Sequence, residues 1–146
     1  MVDKRYHRKN RRLPKFKLVS RTIISREKSF LEKHFPEIEV QLKGDKLICF
    51  GTTQPSSQCP LYKFRIEYDG FSPPDVFIVE PEIVYDSKIH LYPSNNSLCL
   101  YYPKEMPWNR FKHRLYETII PWTLEWCVFY ELYKITGVWE HPEIHF

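Results

Sequence analysis

An α+β domain is predicted for this chain of 146 residues by three observations. Apolar side chains recur at helical spacing over residues 16–35, four short segments between residues 37 and 79 carry strand patterning, and a second apolar helical stretch runs over residues 121–136. The length suits one domain, since a fold of this size buries about 68–70% of its unfolded surface and needs no staples.

In the first helix Leu18, Val19, Ile23, Ile24, Phe30, Leu31 and Phe35 supply the apolar side, Lys and Arg fill the intervals, and Pro36 supplies a stop. Residues 37–42 then alternate polar and apolar side chains, Gly44 and Asp45 punctuate, and residues 46–50 resume an apolar run; together they predict a hairpin. Over residues 61–68, Tyr62, Phe64, Ile66 and Tyr68 alternate with Lys63, Arg65 and Glu67, so one face is buried and the other wet. The turn Phe71-Ser72-Pro73-Pro74 leads to a fourth strand over 76–79, ended by Pro81, which completes a four-stranded antiparallel meander.

Between residues 82 and 121 the period signals thin out, and Pro93, Pro103, Pro107 and Pro121 interrupt. An irregular stretch this long in a compact domain is usually functional. Pro121 opens the last helix and Gly137 closes it. Its apolar residues, among them Trp122, Leu124, Trp126, Val128, Phe129, Leu132 and Ile135, cover most of the circumference and predict a heavily buried helix.

Ten Tyr, ten Phe and four Trp predict a core built from large rings. The net charge of +4 divides unevenly: Lys4, Arg5, Arg8, Lys9, Arg11, Arg12, Lys15 and Lys17 face the single Asp3, whereas the rest of the chain holds 14 Lys and Arg against 17 Asp and Glu. The expected organisation is therefore a basic arm over residues 1–15 and a mildly acidic domain over residues 16–146. The arm reads as a solvated tail, and nucleic acid is not the expected partner; steep loss of affinity with salt would mark one. Glu125 and Glu131 break the most apolar stretch, so it falls short of the ~20 residues a bilayer span needs, and no membrane segment is expected. Cys49, Cys59, Cys99 and Cys127 are widely spaced and follow a basic, polar N-terminus, which predicts free thiols in a reduced cytoplasm.

Cys99 stands apart from the other three. It follows the run His90-Leu91-Tyr92-Pro93-Ser94-Asn95-Asn96-Ser97-Leu98, whose short polar side chains favour turns, so the thiol sits where an irregular loop ends. A thiolate is a strong nucleophile and can carry an acyl group as a thioester. The tetrahedral intermediate needs hydrogen-bond donors, for which Asn95, Asn96 and the loop N–H groups are candidates, while His90 and Tyr92 are candidates for a base or a further donor. The other reading of a cysteine between two leucines is a small core hydrophobe.

The order helix, meander, proline-rich turn, long loop with His and Cys, and C-terminal helix resembles a ubiquitin-conjugating (UBC-like) domain. Tyr62 and Tyr68 with Phe71-Ser72-Pro73-Pro74-Asp75-Val76 resemble that family's strand, diproline turn and following strand; Leu98-Cys99-Leu100 resembles its I-C-L signature, and Trp108 sits where a tryptophan commonly follows the cysteine. The family's usual H-P-N is replaced by His90-Leu91-Tyr92-Pro93, which leaves the oxyanion donor unassigned. This variant, with Leu100-Tyr101 after the cysteine and Thr136-Gly137-Val138-Trp139 near the end, is similar to bacterial conjugating-enzyme-like proteins of CBASS, the antiphage operons that signal through cyclic oligonucleotides.

The resemblance implies a transferase in which Cys99 carries the C-terminal acyl group of a partner, a cyclase related to cyclic GMP–AMP synthase, and hands it to an amine. It further implies His90 as a loop-ordering or proton-handling residue, Tyr92 as a donor near the thioester and Trp108 as an apolar wall. No Gly-rich nucleotide loop is present, so an unidentified activating partner is implied and no cofactor is expected. Two competitors remain: a Cys–His hydrolase using Cys99 and His90, and a non-catalytic binding module of the same fold. His141 and His145 have a spacing that suits zinc on a helix, but Pro142 disfavours that helix and no cysteine pair completes a site, so no metal is expected. Cys49 and Cys127 read as core residues, and Cys59 as a less reactive surface thiol.

Overall fold

The computed structural model describes residues 14–140. Helix α1 (Lys15–His34) is followed by strands β1 (Glu39–Lys43), β2 (Lys46–Thr53), β3 (Tyr62–Tyr68) and β4 (Asp75–Glu80), and helix α2 (Ile119–Thr136) comes last. The four strands form one antiparallel sheet in sequence order. The α+β class and the meander match the sequence expectation, with ends displaced by a few residues. The basic arm lies outside the described residues, except that Lys15 already belongs to α1. His141 and His145 also lie outside them, and among the described residues no cluster of potential metal ligands occurs.

Alternation in β3 decides the sheet. Tyr62, Phe64, Ile66 and Tyr68 are all buried and point towards the helices, as do Leu47 and Cys49 of β2 and Val76 of β4. Gly51 sits across from Phe64, and a Cβ there would come within 2.4 Å of the Phe64 ring, so β2 has no side chain where that ring crosses it. Ile23, Ile24 and Leu31 of α1 enter the same core with Ile119, Ile120, Trp126 and Cys127 of α2. At its C-terminus α1 is closed by the Phe35 N–H, which donates to the Leu31 carbonyl at 2.8 Å, before Pro36.

Helix α2 begins at Ile119, two residues before the expected Pro121, because a first-turn proline lacks only an N–H that would have no intrahelical acceptor. The helix is less buried than expected. Its first half is covered, but Val128, Leu132 and Ile135 are exposed, with Ile135 at 82%. The apolar circumference exceeds the surface that the sheet and loops can cover.

Residues 81–118 contain no helix or strand, yet Ile89, Leu91, Leu98, Leu100, Tyr101 and Leu115 are core residues. Remote side chains supply the backbone partners that a ladder would otherwise give. Glu27 of α1, fully buried, accepts from Arg26 at 2.7 Å and from the Leu115 N–H at 3.1 Å. Burial raises the Glu27 pKa, and those two bonds oppose the rise. Arg26 donates onward to the carbonyls of Arg110 at 3.0 Å and Phe111 at 3.2 Å, while Arg110 reaches Ser20 Oγ and the Gly70 carbonyl. On the other side the Trp126 indole donates to the Ile89 carbonyl at 3.2 Å. No described helix is long and apolar enough to cross a membrane.

Candidate functional site

Residues 90–99 fold into a tight hairpin. The Cys99 N–H donates to the His90 carbonyl at 2.8 Å, the Tyr92 N–H to the Ser97 carbonyl at 2.9 Å, and the Asn96 N–H to the Tyr92 carbonyl at 2.8 Å, around an isolated bridge between Leu91 and Leu98. Two non-glycine residues adopt positive φ to close it, His90 at 57° and Asn96 at 60°. Asn95 supports the turn, since its Oδ1 accepts the Ser97 N–H at 2.9 Å. The hairpin is fixed to the sheet by the Leu98 N–H, which donates to the Val76 carbonyl of β4 at 2.9 Å, and by burial of Leu91 and Leu98.

Cys99 is half-buried and lines a recess of about 330 Å³ with His90, Tyr92, Tyr101, Tyr102 and Ser87. Tyr92 lines the recess beside Cys99. Its phenol pKa is raised by partial desolvation first, then by the neighbouring Cys99 and a hydrogen bond with it, with a further contribution from Asp75. Beneath it lies Tyr101, whose pKa burial pushes up to about 12 and which therefore stays neutral. A second recess, about 360 Å³, adjoins the first at Tyr92 and Tyr101 and is walled by Ser72, Pro73, Pro74 and Asp75.

The remaining cysteines differ in kind. Burial pushes the thiols of Cys49 and Cys127 up to about 12, which keeps both protonated and unreactive. Cys59 is half-exposed and pairs with Ser56 Oγ at 3.1 Å. None of the four forms a disulfide.

Of the residues expected at the site, Cys99, His90 and Tyr92 are brought to one recess. Asn95 and Asn96 are not: they line a separate groove of about 390 Å³ with Arg65, Phe77 and Glu82, on the other side of the hairpin. Trp108 also stands off the recess, behind Tyr101 at 6.4 Å between ring centroids, with its indole N–H donating to the Tyr68 hydroxyl at 3.1 Å. Tyr102 and Ser87 join the recess without having been singled out by sequence; for Tyr102 the available signal was the aromatic pair Tyr101-Tyr102 directly after Leu100.

Behind the recess, Trp139 folds back from the end of α2 and packs on the His90 ring at 5.1 Å. A half-buried thiol at a hairpin end, faced by a neutral phenol and a histidine, is equipped to hold a covalently bound group within reach of a second reactant. No curated protein matches the chain. A family model described as "Type II CBASS E2 protein" matches residues 27–146, covering β1 to β4, the hairpin and α2. The chain therefore belongs to the Type II CBASS E2 protein family, with an E2-like role in CBASS antiphage defence.

Proposed function

We propose that Cys99 is the acyl carrier of a protein-conjugating transferase. Its sulfur attacks the activated C-terminal carbonyl of a partner protein, a cyclase related to cyclic GMP–AMP synthase, expelling the activating group and forming a thioester. An amine then attacks that carbonyl, forms an amide and returns the Cys99 thiol. The activating group is supplied by a separate partner, and the reaction takes place in the cytoplasm.

The observation that carries this reading is the half-buried Cys99 thiol sharing an open recess with Tyr92 and His90, while Cys49 and Cys127 are buried away. Once the sulfur is acylated, the Tyr92 O–H in that recess is the donor for the carbonyl oxygen on which negative charge develops, where a preorganised donor stabilises the tetrahedral intermediate. His90 borders the same recess as a proton-handling group and orders the loop through its carbonyl.

Co-expression with the neighbouring cyclase and activating protein, followed by intact-mass measurement under non-reducing conditions, tests it. The expected result is a mass increase equal to the partner, removed by added thiol and absent in Cys99→Ala. Product release without any adduct would favour a Cys–His hydrolase, and partner binding that survives Cys99→Ala with no adduct in either protein would favour a binding module. An adduct that persists in Cys99→Ala would sink the mechanism. Removing the residues before Leu13 is expected to leave the adduct intact, since the basic arm has no part in this chemistry.

A further inference from the structure

Of the two positive-φ residues in the hairpin, His90 borders the recess and Asn96 does not. His90 holds φ at 57°, a region that non-glycine residues occupy at an energetic cost and keep only where the surroundings over-determine them. Cys99 depends on it directly, because the His90 carbonyl accepts the Cys99 N–H at 2.8 Å.

Two indoles grip this point from behind. Trp126 of α2 donates its N–H to the Ile89 carbonyl at 3.2 Å, which fixes the residue before His90. Trp139 packs on the His90 ring with centroids 5.1 Å apart and planes at 33°, and on Trp126 at 5.5 Å. The chain reaches this position because Gly137, at φ 75°, ends α2 in a left-handed cap, and Thr136 Oγ1 accepts the Val138 N–H at 3.1 Å. Tyr133 flanks the indole at 6.1 Å while its own hydroxyl donates to Asp86 at 2.8 Å.

We propose that Trp139 is a positioning residue for Cys99: its indole, packed at a tilt between Trp126 and the His90 ring, holds His90 in the left-handed conformation that presents the thiol to the recess. The inference builds on the reading of Cys99 as the acyl carrier. It makes the turn after α2 part of the site, although Trp139 lies 40 residues from Cys99 in sequence and does not line the recess.

The test uses the full chain with Trp139→Ala, Trp139→Leu and Trp139→Phe. Two readouts are followed: iodoacetamide alkylation of Cys99 across about pH 6–9, quantified on the Cys99 peptide, and adduct formation with the co-expressed partner. Trp139→Ala is expected to displace the alkylation profile and slow adduct formation roughly 10- to 100-fold, the range for a reacting group misplaced by about 1 Å. Trp139→Phe, which keeps a ring against His90, is expected to stay within a few-fold of wild type. If Trp139→Ala does not fold, Trp139→Leu keeps part of the apolar volume without an aromatic face and is expected to show the same displaced profile.

A folded Ala or Leu variant with a wild-type alkylation profile would overturn the inference, because simple core packing lowers the melting temperature without altering the folded site. Should wild type form no adduct at all, the acyl-carrier reading fails, while alkylation and the NMR signals of the His90 ring still decide whether Trp139 sets the geometry.

Discussion

The sheet and the segment over residues 81–118 are packed into one core, but they hold their shape by different means. The sheet is secured by its ladder and by rings projecting from one face of β3, so its stabilising contacts are many and individually replaceable. The irregular segment has comparable burial at Ile89, Leu91 and Leu115 but depends on a few remote side chains, chiefly Glu27 and Trp126, to satisfy its backbone. Redundancy tolerates substitution, and single anchors do not. The site stands on the second kind of support.

The largest expected effect is at Glu27. Glu27→Ala removes the buried carboxylate, strands the Leu115 N–H and leaves Arg26 without its acidic neighbour, which costs about 3–5 kcal/mol for a fully buried pair. Because Arg26 retains 26% side-chain exposure, the lower end is expected, about 3 kcal/mol in urea denaturation. Ile66→Val in β3 is expected to cost only about 0.5–1.5 kcal/mol although Ile66 is fully buried. Equal losses would dissolve the contrast between the two regions.

Trp126→Phe comes next. The ring volume largely remains, but the Ile89 carbonyl loses its donor in a buried place, at a cost of about 1–3 kcal/mol. Amide exchange is expected to quicken over residues 89–99 and to stay unchanged in β2 and β3. Uniform quickening would mean that Trp126 only fills space.

The same contrast explains what the sequence shows and what it hides. β3 is legible because alternation over seven residues is a local pattern, and α2 is legible from Pro121 and Gly137. Cys99, His90 and Tyr92 are legible as neighbours because the turn-formers from Pro93 to Ser97 bring a hairpin's ends together. The direction of Asn95 and Asn96 is not, because the positive φ at His90 and Asn96 turns them to the outer groove, and no local spacing encodes that. Trp139 is equally hidden, since it meets His90 only after a helix has returned the chain. The exposed stripe Val128, Leu132 and Ile135 shows the limit of composition: apolar residues around a helix state what can be buried, and the neighbouring surface decides what is.

Acidification offers a gentler way to separate the regions. His113 accepts the Asn109 N–H on Nδ1 at 2.9 Å, a role for the neutral ring, and burial followed by nearby Lys112 lowers its pKa. With the folded pKa below the unfolded one, the unfolded chain binds more protons as pH falls, so this contribution is present above the ordinary histidine range and lost on acidification through the lowered pKa. Between about pH 7 and pH 5, amide protection is expected to fall at residues 109–113 before it falls in the sheet.

The smallest expected effect is the most discriminating for the site. Asn95→Ala removes one part-buried turn bond, worth about 0.5–1.5 kcal/mol, and leaves β4 and Cys99 untouched. If Asn95 were the oxyanion donor, its loss would slow acyl transfer by about 10²–10³. Its place beside Arg65 and Phe77, on the face of the hairpin away from the recess, predicts less than about a threefold change in the rate of adduct formation, against a loss of about 10² or more for Tyr92→Phe. Single-turnover rates for the two variants therefore decide which side of the hairpin does the chemistry, and a large loss confined to Asn95→Ala would move the oxyanion to the outer groove.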